Sequence, residues 1–241
     1  MTPVDRPEPR SGWLPLAAFA LFGLGLAALL LTLPPATRPA ADRVAEALPA
    51  TGLANPVSGV LLVFRALDTL LEKAALLAAL GGVVVLVGSR SHARRAVRVP
   101  VPADSRATAS WLAALVVPAV AVTAVYLVAI GADAPGGAFQ AGTVAAAGMI
   151  VAVLAGAWPH PWPASPDLRR AAYGSFLAFV GVGLLGAVVD GAFMAIPPLP
   201  LPLGLGGVKA TVVLVEIALA LGVGAILFAL AMGPPPDRRR R

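Results

Sequence analysis

The sequence has no cysteine, only two histidines and few charged residues. Without cysteine, disulfides, iron–sulfur clusters and thiolate metal sites are excluded. His92 and His160 fall in polar or proline-rich connections, which argues against a haem held by two histidines inside a membrane. Charged residues make up 12% of the 241 residues, whereas a soluble domain has about 25%. No polar stretch is long enough to fold alone, so a large soluble domain is excluded.

Apolar residues dominate instead, at 59% of the chain. Because about 20 apolar residues span a bilayer, the pattern predicts an all-α integral membrane protein with about six transmembrane helices. The predicted segments are residues 14–33, 57–87, 111–130, 138–157, 172–191 and 208–232. We interpret the first as a retained helix, because it is long for a signal peptide. The second, about 46 Å long as one helix, must either tilt strongly or break.

Basic residues are distributed unevenly among the connections, which predicts the orientation. With six crossings, one side of the membrane would hold Arg6, Arg10, Arg90, Arg94, Arg95, Arg98, Arg106, Arg169, Arg170 and the four arginines 238–241. The opposite side would hold only Arg38, Arg43 and Lys209. The pattern therefore predicts that both termini are cytoplasmic. We interpret the arginine tail as an anchor near anionic lipid, and we expect no nucleic-acid binding.

The second segment concentrates ionisable residues in an apolar run. Arg65, Asp68 and Glu72 follow one another at three- and four-residue spacing and share a helix face, while Lys73 lies about 100° further round. One interpretation is the outer end of an amphipathic helix, with Arg65 neutralising Asp68 at the membrane surface. The other is a buried ion pair with a spare carboxylate, as in a proton or cation path. The spacing alone leaves both open.

Glu216 lies near the middle of the sixth segment, with apolar residues on both sides. No rotation of that helix would bring its side chain to the membrane surface, so it must face protein, a water-filled cavity or a partner chain. It is either an ion-path residue or a protonated acid bonded to a neighbouring helix. Lys209 is on the same face, about 10 Å away along the axis, and Asp190 is expected to have a hydrated structural role.

The sequence contains none of the usual catalytic arrangements. There is no nucleophile with its base, no metal-ligand cluster and no phosphate-binding loop. We therefore predict a protein that is not an enzyme and that holds no metal or cofactor. The small residues of the run 141–148 predict close helix packing.

The loop at residues 131–142 carries a recognisable motif. It reads Gly-Ala-Asp-Ala-Pro-Gly-Gly-Ala-Phe-Gln-Ala-Gly and resembles the signature of the B-type subunits of Mrp-type (Mnh-type) multisubunit Na+/H+ antiporters. Ala138 and Ala141 replace two glycines of the family pattern. The resemblance implies a structural role for a set of loop residues: Pro135, Gly136, Gly137, Phe139, Gln140 and Gly142.

A second stretch, residues 55–72, resembles the C-terminal part of the large, A-type antiporter subunits and the small, E-type subunits of membrane-bound hydrogenases. Phe64-Arg65 and Asp68-Thr69 match that pattern, whereas Val63 and Leu71 replace an Asp and a Gly. Lys73 stands where a neutral residue is usual and could pair with Glu72. The sixth segment, with Glu216 before Ile217, also resembles the last helix of the B-type subunits.

The two resemblances imply a domain organisation: a region like the E-type hydrogenase subunits at 1–90, a basic cytoplasmic loop at 91–107, a domain like the B-type antiporter subunits at 108–232 and a basic tail at 233–241. They imply an accessory subunit of a cation/proton antiporter in a bacterial or archaeal cell membrane, with other membrane subunits as partners. Alternatives are the membrane arm of an energy-converting hydrogenase or a related redox-driven pump, and a purely structural subunit. The ion-path or coupling candidates are Arg65, Asp68, Glu72, Lys73 and Glu216.

Overall fold

The computed structural model describes residues 13–32, 39–89, 103–158, 166–200 and 206–232. Within these ranges the chain is helical and contains no strand. It divides into two units, Met1–Asp42 and Arg43–Arg241. The first unit contains helix α1, Trp13–Thr32. Helix α2, Ala40–Ala47, begins at the end of this unit. The all-α class predicted from composition is confirmed for the described residues.

The second unit contains the remaining helices. After α2 and a 3-10 turn at Leu48–Thr51 come α3, Pro56–Gly59, and α4, Ala66–Ser89. They are followed by α5, Ala103–Ile130, and α6, Ala138–Leu154. The last two are α7, Pro166–Val189, and α8, Gly207–Met232.

In the part of the chain that the structure describes, three helical stretches are long and apolar enough to cross a membrane: Ala107–Ile130, Asp167–Val189 and Gly207–Met232. A fourth span results if Ala40–Thr51 and Pro56–Phe64, which meet at 90°, are counted together. Several passes are therefore supported in the described residues, but the predicted number of six is not confirmed. The apolar stretch of α6 is shorter than a usual span, and so is that of α1.

Helix α8 is the centre of the second unit. Sixty-seven per cent of its apolar window is buried, compared with 11% for α5. Small residues allow this packing, as the sequence predicted: a Cβ at Gly142 of α6 would come within 2.8 Å of the Ala220 carbonyl oxygen and of Val223 on α8. Helices α6 and α7 pack on α8 along most of its length, so α8 has little surface left for lipid.

The second predicted segment is broken. Asn55 caps α3, accepting from the backbone N–H of Val57 at 3.0 Å, and Pro56 occupies the first turn. A π-turn at Val60–Phe64 follows, and Arg65 leaves the helical conformation with φ −135° and ψ 37°. Because of this break, residues 57–87 do not form one continuous helix of about 46 Å. Helix α4 begins after the break, at Ala66.

The proline-rich connection before α8 is not helical in its described part, 195–200. It packs tightly: Thr211 of α8 donates a hydrogen bond of 2.5 Å to the Pro197 carbonyl oxygen. Several predictions fall outside the described residues: those on His92 and His160, on the arginines at 90–98 and on the basic tail at 233–241.

Candidate functional site

The carboxyl group of Glu216 is buried against the loop between α5 and α6. Glu216 is 2% exposed. A Cβ at Gly131 would lie 2.5 Å from Glu216 Oε2, and one at Gly137 would lie 3.0 Å from Oε1. Gly137 also has φ +109°, a conformation that L side chains rarely adopt. Glycine is therefore needed at both positions for the loop to approach the carboxyl group this closely.

Glu216 has an incomplete set of hydrogen bonds. Its Oε1 lies 3.3 Å from Ser58 Oγ, while Oε2 has no hydrogen-bond partner among the described residues. Ser58 has a single hydrogen to donate, and its shorter contact is with the Gly131 carbonyl oxygen at 2.6 Å. With that hydrogen engaged, a protonated Glu216 would donate to Ser58 Oγ. The arrangement therefore suits the acid form and leaves one oxygen free for another ligand.

Asn55 joins α3 to the same loop. Its side-chain Nδ2 donates to the carbonyl oxygens of Gly131, at 2.8 Å, and Ala134, at 2.9 Å. The backbone N–H groups of Ala54 and Asn55 both donate to the Ala132 carbonyl oxygen at 3.1 Å. On the other side of the loop, Lys209 Nζ forms an ion pair of 2.6 Å with Asp133. These contacts hold the loop in position over Glu216.

A cavity of about 170 Å³ lies beside Glu216. Glu72 and Gln140 also line it, and both side chains are exposed, whereas Glu216 and Thr69 are buried. The cavity therefore has polar groups at its exposed mouth and a carboxyl group at its buried end. Its other lining residues are Val57, Ser58, Leu61, Leu62, Gly136, Gly137, Ala138, Phe139 and Leu219.

The five candidate residues occupy three different environments. Glu72 and Glu216 line the same cavity. Arg65 and Asp68 form an ion pair of 2.5 Å, with side chains 69% and 44% exposed, and neither lines the cavity. Asp68 of this pair and Glu72 lie about one turn apart on the same helix, α4. The exposed pair agrees with the first interpretation of the segment, and Arg65 and Asp68 do not form the buried ion pair of the second.

Lys73 does not pair with Glu72, contrary to the possibility raised from the sequence. The Lys73 side chain is fully buried, and Nζ has no hydrogen-bond partner among the described residues. It lies against α8 and α7, where a Cβ at Gly222 would collide with Lys73 Nζ and Ser175 Oγ. The reason is helical geometry: adjacent residues point about 100° apart, so Glu72 faces the cavity mouth and Lys73 the interior.

Two site residues were missed in the sequence. They are Asn55 and Ser58. The Asn55-Pro56 pair was the available signal, but the partners of both residues lie more than 70 positions further along the chain. Lys209, expected on the face of Glu216, forms an ion pair with Asp133.

The long apolar helices of the described residues are those of a multi-pass membrane protein. A model of the family described as a domain related to the MnhB subunit of Na+/H+ antiporter matches residues 108–232. Since this is just over half of the chain, the protein belongs to that family, as the loop motif indicated. A search of curated proteins finds no relative.

Two solved structures are similar to the chain. One is the Mrp complex from Dietzia sp. DQ12-45-1b, with a TM-score of 0.68 and 25% identity. The match covers 99% of this chain and 27% of the other, so this chain has about a quarter of the length of that one. The second is the membrane-bound sulfane sulfur reductase, an archaeal respiratory membrane complex, with a TM-score of 0.63 and 22% identity. It covers 92% of this chain and 98% of the other, and it shows a shared fold.

Proposed function

We propose that this chain is an accessory membrane subunit of a multisubunit Na+/H+ antiporter-type complex and that its cavity forms part of the ion path. The family and the similarity to the Mrp complex support the class of complex. The observation that carries the ion path is the shared cavity of Glu72 and Glu216. Glu72 belongs to the region that resembles the E-type hydrogenase subunits, and Glu216 belongs to the region that resembles the B-type antiporter subunits. The two carboxyl groups nevertheless line the same cavity.

In this proposal the two carboxyl groups have different roles. Glu72, at the exposed mouth, attracts a cation or a proton to the cavity. Glu216, at the buried end, exchanges them, because among the described residues its Oε2 has no hydrogen-bond partner and its Oε1 is near only the Ser58 hydroxyl group. A buried carboxylate is costly without a cation or proton, so the two ligands compete for it. Arg65 and Asp68 take a coupling or assembly role at the surface, where a neighbouring protein of the complex would cover them.

The remaining assignments are part of the same proposal. Six crossings with both termini in the cytoplasm agree best with the distribution of arginines. The membrane is the cell membrane of a bacterium or an archaeon, and the partners are other membrane subunits. Transport, not catalysis, is the expected activity, with no resident cofactor or metal.

The test compares Glu216→Gln and Glu72→Gln with Asp190→Asn, which alters a carboxylate outside the cavity. The complex is purified through a tag on this chain and reconstituted in vesicles, and Na+-driven proton movement is measured. We expect Glu216→Gln to reduce exchange at least about a hundredfold, as for removal of a proton-transferring group, and Glu72→Gln to reduce it less. Asp190→Asn should exchange as the wild type does. Wild-type exchange in assembled Glu216→Gln complexes would favour a purely structural role.

A redox-driven ion pump is the second candidate, because the similarity to the archaeal respiratory complex extends over almost all of that chain. The proteins that copurify with the tagged chain distinguish the antiporter complex from the redox-driven pump. Channel-like membrane subunits alone would support the antiporter, whereas accompanying iron–sulfur or nickel–iron subunits would support the pump.

A further inference from the structure

Ser58 connects the carboxyl group of Glu216 to the loop between α5 and α6. Its Oγ lies 2.6 Å from the Gly131 carbonyl oxygen and 3.3 Å from Glu216 Oε1. When Glu216 is ionised, both of these oxygen atoms are acceptors, but the hydroxyl group has a single hydrogen to donate. Ser58 therefore donates to only one of them at a time.

The Gly131 carbonyl oxygen does not depend on Ser58 alone. Asn55 Nδ2 donates to it at 2.8 Å and to the Ala134 carbonyl oxygen at 2.9 Å. The same nitrogen lies 3.2 Å from Ser58 Oγ, but its two hydrogens are already used by the two nearer carbonyl oxygens. Gly131 thus keeps a donor when the Ser58 hydroxyl group turns away, and no buried carbonyl group is left without a hydrogen bond.

Two arrangements of hydrogen bonds follow from these contacts. With Glu216 protonated, its O–H group donates to Ser58 Oγ, and Ser58 donates to the Gly131 carbonyl oxygen. With Glu216 ionised, Ser58 donates to Oε1 instead, and Asn55 alone bonds Gly131. The change is a rotation of one hydroxyl hydrogen, so a single side chain stabilises both forms of Glu216.

The other charged or titratable groups near Glu216 are less well placed to respond to its charge. Lys209 and Asp133 pair with each other, and helices α3 and α6 contain no charged residue. Lys73 lies beside Gly222, six residues or about 9 Å beyond Glu216 along α8. Glu72 lines the cavity at its exposed mouth. The remaining groups on α4, α5 and α7 are partly or fully exposed or lie in the first turn of a helix, and none lines the cavity: Arg65, Asp68, Asp104, Arg106, Tyr126, Asp167, Arg169, Arg170, Tyr173 and Asp190.

We propose that Ser58 is a positioning residue for exchange at Glu216, and that its hydroxyl group turns from the loop to the carboxylate when Glu216 loses its proton. The O–H bond of the carboxyl group breaks, the proton passes to water in the cavity, and a cation from the cavity binds the carboxylate. One positive charge replaces another, so the buried site has the same net charge before and after the exchange. The loop meanwhile loses one of its two hydrogen bonds at Gly131, so it is held less tightly over the ionised form. This inference rests on the ion path proposed above.

The first experiment titrates Glu216 in the purified complex without Na+. Infrared difference spectra follow the protonated carboxyl band as the pH rises, and the band absent from Glu216→Gln is assigned to Glu216. Ser58→Ala removes a donor to the carboxylate and an acceptor for the acid, and the bond to the charged form is the stronger of the two. We therefore expect the midpoint of the titration to move to higher pH by about one unit.

Two variants serve as controls for this titration. Ser58→Thr keeps the hydroxyl group and should titrate as the wild type does. Thr123→Val removes an exposed hydroxyl group that donates to a backbone carbonyl oxygen on α5, and it should leave the midpoint unchanged. An unchanged midpoint in Ser58→Ala, or an equal shift in Ser58→Thr, would overturn the proposal.

A second experiment measures the loop and needs no change at Ser58. Hydrogen exchange of the backbone amides at 131–137 is followed by mass spectrometry above and below the midpoint, without Na+ and corrected for the intrinsic effect of pH. We expect exchange in the wild type to be about threefold faster when Glu216 is ionised, as for the loss of one hydrogen bond. Glu216→Gln stays neutral and should show no such change. The same behaviour in the wild type and in Glu216→Gln would contradict the proposal.

Failure of this inference is distinguishable from failure of the ion path. Normal Na+-driven exchange in assembled Glu216→Gln complexes refutes the ion path itself. If that variant is inactive while Ser58→Ala titrates as the wild type does, the ion path stands and the role of Ser58 is wrong.

Discussion

The bonds of Asn55 predict how strongly the loop over Glu216 depends on one side chain. Asn55→Ala removes a helix cap, which costs about 1 kcal/mol. It also removes the donors to the Gly131 and Ala134 carbonyl oxygens. Gly131 keeps its bond from Ser58, so the carbonyl loss adds about 1–2 kcal/mol. We expect a total of about 2–3 kcal/mol, and therefore a thermal midpoint lower by about 5–10 °C.

Asn55→Asp is the matched variant. It keeps an acceptor for the backbone N–H of Val57 but places a carboxylate oxygen where the amide nitrogen faced two carbonyl oxygens. We therefore expect it to be less stable than Asn55→Ala, although its cap is intact. The assay is thermal unfolding of the purified complex in mild detergent. The measured quantity is the temperature at the midpoint of the unfolding of this chain. A midpoint for Asn55→Asp equal to that of the wild type would refute the loop-holding role.

Two further predictions concern the same loop. Gly137→Ala should cost about 1–3 kcal/mol because φ is +109°, and it should also impair exchange, since its Cβ would lie 3.0 Å from Glu216 Oε1. Gly81→Ala on α4, where nothing lies within 4 Å, is the control and should not destabilise the complex. Lys209→Met should cost less than about 1 kcal/mol, because its pair with Asp133 is partly exposed. A double-mutant cycle with Asp133→Asn measures this pairing, and a coupling of several kcal/mol would contradict it.

The sequence was sufficient for features that depend on local composition. The apolar runs predicted the long helices, and the small residues around Gly142 predicted close packing against α8. The position of Glu216 in an apolar run required it to be buried, because no helix rotation could expose it. The loop motif indicated the family. Each of these predictions used residues that are neighbours in the sequence or on one helix.

Features that depend on distant contacts could not be predicted in this way. The apolar run on both sides of Arg65 is continuous, so its spacing allowed either one tilted helix or a break. The burial of Lys73 depends on space left by Gly222, about 150 positions away, and no local pattern reveals that space. For the same reason the hydrogen bonds from Asn55 to the loop could not be predicted. The number of membrane crossings depends partly on residues outside the described ranges.

The two sides of the cavity belong to one polypeptide. Ser58 and Glu72 precede the connection at 90–102, whereas Gly137 and Glu216 follow it. Hydrogen bonds from Asn55 to the loop join the two sides, and residues of both sides belong to one apolar cluster that includes Leu62, Leu70, Val215 and Leu219. Within one chain the two sides stay at high effective concentration, and a longer connection adds little to the entropy of closing them. The connection can therefore vary in length and sequence while both carboxyl groups remain present in a fixed one-to-one ratio.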